Sequence, residues 1–172
     1  MSNFAGSQSY HSVEEATGIV RAAVGSIRSR AAHSSNRPAG TPAASPYVNL
    51  ALIEQLRSVQ SPLWDLRRLV RMCEELNSVF AAGNCHATVM LLRAILDHVP
   101  PIFGAPNFGQ FAATAGRSLK ASMERLDKSS RDIADRWLHQ QIRKSESLPT
   151  MTQVDFRQEL DALLGEVVGT LR

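Results

Sequence analysis

The sequence predicts an all-α fold, a bundle of five or six helices, and three observations carry that prediction. Apolar residues recur at helical spacing, most cleanly in Leu66, Leu69, Val70, Cys73, Leu76 and Phe80 and again in Phe156, Leu160, Leu163, Leu164, Val167, Val168 and Leu171. No segment alternates convincingly with the period of two that a half-buried strand needs. Between the periodic stretches stand residues that start or stop helices: Asn49, Asp65, Gly83-Asn84, Pro100-Pro101 and Pro149.

Along the chain, Ser12-Val13-Glu14-Glu15 forms a capping box that predicts a helix to about Ala32. Its apolar residues are sparse, and Gly18 and Gly25 weaken it. His33 to Pro46 is rich in Ser, Pro, Ala and Gly and reads as a flexible linker. Residues 1–46 are therefore expected to be an appendage or the tail of something upstream, and the compact bundle runs from 47 to 172. No internal repeat is visible. Asn49 caps a short helix carrying Leu52, Ile53, Leu56 and Val59, which Pro62 ends; Asp65 caps the next. The helix from about His86 to Val99 is apolar on nearly all sides, the pattern of a central, buried helix. Ile102 to Phe111 reads as an irregular stretch that packs back on the bundle. One helix then carries Leu119, Met123 and Leu126. Another, from about Ser129 to Arg143, is expected to bury Ile133, Trp137, Leu138 and Ile142. A polar loop, Lys144 to Gln153, precedes the last helix.

Composition narrows the function classes. With 172 residues, 44% hydrophobic and 20% charged with mixed sign, the chain can build one core and is not a disordered polyelectrolyte. It has no apolar run of eighteen residues, and Met1 to Tyr10 is polar, so neither a membrane partner nor secretion is implied and a cytoplasmic location is expected. Cys73 and Cys85 show no metal or redox spacing and read as reduced core thiols. The net charge is +3, but four Arg against two Glu fall before residue 47 and the remainder has fifteen basic and fourteen acidic residues. That distribution fits a solvated surface unless the cations gather on one face. A Gly-rich phosphate loop, His-Glu-x-x-His and the Glu-x-x-His pairs of di-metal bundles are all missing, so no cofactor and no metal are expected.

The chemistry is concentrated on the predicted central helix. Arg93 interrupts a run that is otherwise apolar from Ala87 to Leu96, apart from Thr88. A guanidinium cannot be neutralised, so it must be paired or reach a polar cleft. His86, Arg93 and Asp97 share one stripe of the helix, and Asp97 stands at ion-pairing distance in sequence from Arg93. His98 follows at the helix C-terminus, where the partial negative charge should favour imidazolium and raise its pKa. In the structural reading, Arg93 pairs with Asp97 and His98 caps the last carbonyls. In the chemical reading, Arg93 binds a phosphate and His98 moves the proton of an RNA 2′-hydroxyl. On a regular helix the two lie about 140° apart, so they converge only if the helix distorts or a second subunit completes the site. A second polar face, Asp132, Arg136, His139 and Arg143 with Lys144 beyond, is either a solvated surface or the basic wall of the same cleft.

Arg93 to His98 resembles the R-x4-6-H motif of the HEPN superfamily of all-helical domains. The stretches Leu91-Leu92-Arg93-Ala94-Ile95-Leu96-Asp97-His98-Val99-Pro100-Pro101-Ile102-Phe103-Gly104 and His139-Gln140-Gln141-Ile142-Arg143-Lys144-Ser145-Glu146-Ser147-Leu148-Pro149 are similar to an uncharacterised bacterial HEPN-like family. The similarity covers roughly residues 47–172. It implies a HEPN-like bundle that forms a homodimer with the motifs at the interface, and a metal-independent endoribonuclease of a toxin or antiviral-defence system with a neutralising partner protein. Arg93 and His98 would be the catalytic pair, with Asp97 orienting one of them. His139, Arg143, Lys144, Arg136 and His86 would bind substrate, an RNA or nucleotide. HEPN members usually carry Asn, Asp or His directly after the arginine; here Ala94 stands there and the acid is Asp97. The superfamily also contains non-catalytic dimerisation, sensor and nucleotide-binding modules, which form the alternative expectation.

Overall fold

The structure, a computed structural model, describes residues 45–172. The capping box at Ser12, its helix and most of the Ser/Pro/Ala linker lie outside the described residues. Six α-helices and one 3₁₀ turn make up the bundle: α1 (Leu50–Ser58), α2 (Arg67–Ala81), α3 (Cys85–His98), the 3₁₀ turn (Pro100–Phe103), α4 (Phe108–Thr114), α5 (Arg117–Leu138) and α6 (Arg157–Leu171). There is no strand among the described residues. The all-α bundle is therefore as the helical spacing predicted.

Local chemistry explains most boundaries. Asn49 Oδ1 accepts the Ala51 amide and starts α1. That helix ends at Val59, before Pro62. Asp65 takes the Arg67 amide, one residue ahead of the Leu66 cap position. Helix α2 stops where Gly83 enters the left-handed region at φ +75, which lets the Asn84 amide reach back to the Val79 carbonyl. Pro100 ends α3 and opens the 3₁₀ turn, which Gly104 closes at φ +67. Ile102 to Phe111 is more regular than expected, since α4 begins at Phe108. Asn107 caps it, and the Phe103 ring stacks on Phe111 at 4.1 Å.

The largest departure is at α5. The two helices expected around Leu119–Leu126 and Ser129–Arg143 are one continuous helix that stops at Leu138. Ser130, which resembles a cap, instead donates its hydroxyl to the Leu126 carbonyl at 2.6 Å and stays inside the helix. Leu138 and Ile142 are exposed rather than buried, Ile142 almost completely at 94%. Residues 139–156 form an irregular connection to α6.

Helices α2 and α3 form an antiparallel hairpin, α5 crosses α3 on its other side, and α6 lies against α1, α5 and the 3₁₀ turn. The core joins Leu69, Leu76, Leu92, Ile95, Leu96, Leu126, Leu160 and Leu164, all fully buried. The buried Glu159 of α6 is held by Arg125 of α5. Cys73 is buried, and burial pushes its thiol up to about 12, as expected of an inert core thiol.

Tyr47 ties the start of the bundle to its end. Its hydroxyl donates to the Val154 carbonyl at 2.7 Å and accepts the Phe156 amide at 3.0 Å, while its ring meets Phe80 edge-on. Burial raises its pKa far above the ordinary tyrosine range. Tyr47→Phe strands a buried carbonyl and a buried amide. It should lower the unfolding free energy by about 1–3 kcal/mol in urea titrations while leaving helical circular dichroism unchanged.

Candidate functional site

Helix α3 carries Arg93, Asp97 and His98, and its orientation decides what they meet. Thr88, Val89, Leu92, Ile95 and Leu96 form its buried arc. Contrary to the sequence expectation, α3 is not enclosed on all sides. Met90 and Leu91 are half-covered, and His86, Ala94 and Asp97 are exposed. The helix is amphipathic in place but hydrophobic in sequence, because part of its apolar surface has no neighbour among the described residues.

Arg93 points toward α5. Its Nε donates to Asp97 Oδ2 at 2.8 Å, and its Nη1 lies 3.9 Å from Asp135 Oδ1. Arg131 of α5 reaches Asp97 Oδ1 at 3.4 Å and also bonds Asp127 one turn earlier. Two guanidiniums and three carboxylates thus form a ladder across the α3–α5 seam. Arg93 keeps 26% of its side-chain surface, so it is covered but not sealed. Its Nη1 is buried and has no hydrogen-bond partner. Arg93 and Asp97 stand out in the sequence; Asp127, Arg131 and Asp135 were not expected there. Their spacing of four along one helix was the readable signal.

His98 points away from this ladder. The α3 hydrogen bonding continues regularly, with the Val99 amide on the Ile95 carbonyl, so no distortion swings His98 back toward Arg93. The two remain on opposite sides of the exposed ridge formed by Ala87, Met90, Ala94 and Asp97. His98 is half-buried, and its pKa is lowered, first by desolvation and then by the charge of Arg68. This corrects the expectation of a raised value: burial and a cation on α2 outweigh the helix terminus.

The other named residues are spread out. His86 packs edge-on against Trp137, ring centroids 5.3 Å apart. Arg136 is exposed on the last turn of α5, and His139 is its C-cap. Arg143 and Lys144 lie beyond the helix, exposed, with the Arg143 amide bonded to Glu146. The expected common face of Asp132, Arg136, His139 and Arg143 therefore does not exist as a helical face. Two open clefts of about 730 Å³ occur elsewhere, one around Asn49, Asp155, Arg157 and Asp161 and one around Val59, Leu63 and Trp64. Neither is lined by Arg93, Asp97 or His98. Among the described residues no three His, Cys, Asp or Glu side chains are grouped to hold a metal ion. No single described helix is long and apolar enough to cross a membrane.

With known proteins the chain shares no detectable likeness: no family model, no curated protein and no solved structure matches it.

The lowered His98 pKa has a stability consequence. The folded value lies below the ordinary value of 6.5, so the unfolded chain binds the extra proton first. Stability contributed by neutral His98 is present above pH 6.5 and declines as pH falls through that value toward the folded pKa. Tm should drop more between pH 7.5 and 5 for the wild type than for His98→Gln, as read by scanning calorimetry. Equal drops would refute the assignment of the shift to His98.

Proposed function

We propose that this chain is a HEPN-like, metal-independent endoribonuclease of a toxin or antiviral-defence type, with its site completed at a homodimer interface in the cytoplasm. The observation that carries the reading is the exposed α3 ridge, flanked on one side by Arg93 and on the other by His98. A single chain keeps the two apart. A second copy related by a twofold axis and lying on the same ridge would bring the Arg93 of one protomer toward the His98 of the other. The ridge suits such contact, because Ala87, Met90 and Ala94 are small or apolar and incompletely covered. Leu138, Ile142 and Leu148, exposed by 62%, 94% and 74%, add apolar surface beyond α5.

In this reading His98, kept neutral near pH 7, takes the proton of the 2′-hydroxyl. The 2′ oxygen attacks the adjacent phosphorus, the P–O5′ bond breaks with the 5′ oxygen taking a proton from water, a 2′,3′-cyclic phosphate remains, and the imidazolium gives its proton back to solvent. Arg93 stabilises the charge that gathers on the non-bridging oxygens, and Asp97 holds its guanidinium at 2.8 Å. His86, Arg136, His139, Arg143 and Lys144 supply polar and cationic groups for the rest of the RNA. A neutralising partner protein would cover this face.

A specific observation favours the second reading, a non-catalytic dimerisation, sensor or nucleotide-binding module. Arg93 is already engaged by Asp97 within a ladder richer in carboxylates than in guanidiniums, which is what a structural bridge between α3 and α5 looks like.

Cleavage of single-stranded RNA in the presence of a chelator separates the two. The wild type should cut, and His98→Ala should reduce the rate by about 10²–10⁴-fold with an unchanged circular dichroism spectrum. Cutting that survives in the variant, or no cutting by the wild type, removes the nuclease reading.

A further inference from the structure

Arg68 stands apart among the arginines of α2. Its neighbour Arg67 is bonded to Asp65, and Arg71 is paired with Glu74 and Glu75. Arg68 has no carboxylate within ion-pair distance among the described residues, and it is exposed. The hairpin explains what it meets instead. Helices α2 and α3 are nearly equal in length and joined by a tight turn at Ala82–Asn84. Arg68 lies as far before the end of α2 as His98 lies after the start of α3. The antiparallel register therefore sets the two residues at the same end of the pair. Arg68 is also the charged group whose field reaches the imidazole. Asp97, the neighbour on α3 itself, is turned toward Arg93 and Arg131, and the 3₁₀ turn Pro100–Phe103 contributes no charged side chain.

We propose that Arg68 and His98 together form a phosphate-binding site on the α2–α3 seam, in which Arg68 is the positioning residue that holds a phosphodiester oxygen against the imidazole. A cation with no protein counter-ion beside a neutral imidazole presents N–H donors and no competing negative charge. A phosphate filling it would favour the protonated imidazole and reverse the repulsion from Arg68. This deepens the nuclease reading, since it adds a second guanidinium on the His98 side of the ridge, while Arg93 serves the other. It does not require that cleavage occur.

The experiment follows the His98 ring by NMR through a pH titration of the full chain. Inorganic phosphate is the first probe, and a 2′-deoxy oligonucleotide, which lacks the attacking hydroxyl, is the second. In the wild type either probe should shift the His98 resonances and raise the imidazole pKa; in Arg68→Gln both responses should vanish. Response to the oligonucleotide alone assigns the site to a polynucleotide, and response to inorganic phosphate assigns it to a free phosphate group. Arg68→Lys should restore part of the response. Where RNA cleavage is measurable, Arg68→Gln should raise KM about ten- to a hundredfold and change kcat far less. A His98 titration that neither probe alters, or an identical response in Arg68→Gln, overturns the proposal even if the chain cuts RNA. A response confined to the wild type upholds it even if the chain does not.

Discussion

The geometry of this protein turns on how α3 is held. Its buried arc of Val89, Leu92, Ile95 and Leu96 is gripped by α2 on one flank and α5 on the other. Each fully buried aliphatic side chain contributes roughly 1.5–3 kcal/mol, so the rotation of α3 about its axis is strongly set. That rotation assigns every polar residue on the helix to a neighbour. Arg93 and Asp97 face the carboxylates and Arg131 of α5, His98 faces Arg68 of α2, and the arc between is left for solvent or a further chain. No local adjustment at Pro100 relaxes this separation, because the α3 hydrogen bonds run regularly to Val99.

The same constraint explains what was legible in the sequence. Helices α2, α3 and α6 lie in the core, and their apolar spacing, together with the boundary residues Asp65, Gly83 and Pro100, sets their extent to within a residue or so. Helix α5 departs from the expectation of two helices, one carrying Leu119, Met123 and Leu126 and one from about Ser129. In the fold, Ser130 faces α3 together with Leu126 and Ala134, and its hydroxyl is satisfied by the helix's own carbonyl. Local propensity favoured a break, and tertiary contact overrode it. The end of α5 failed in the opposite sense. Leu138 and Ile142 continue the apolar spacing, but no element of the described chain lies there to bury them, so the helix stops.

The candidate site divides along similar lines. The Arg93–Asp97 pair was readable because ion pairs at that spacing are a property of one helix. The state of His98 was not, since two non-local terms, burial and the charge of Arg68, outweigh the local helix terminus. Arg68 is separated from His98 by a whole hairpin, and nothing near either residue in sequence announces that its charge reaches the imidazole. It follows from the equal lengths of α2 and α3 and from the tight turn between them.

The remaining question is what the ladder across α3 and α5 is for, and one atom bears on it. A bridge whose task is only to fasten two helices would use all its donors, since a buried N–H without a partner costs about 1–3 kcal/mol. Arg93 Nη1 is buried, lies too far from Asp135 for a hydrogen bond, and has no other acceptor. The ladder thus holds one carboxylate more than it holds guanidiniums, yet one donor is left without a hydrogen bond. Its side chains keep from 21% to 61% of their surface, and ion pairs so open to solvent add little stability, so stability alone is a weak reason for its presence. Nη1 is sealed from solvent, so only a turn of the Arg93 side chain would offer that donor to an acceptor outside the chain. In that turned position the donor would open onto the exposed ridge beside the ladder, whereas neither of the two clefts is lined by Arg93.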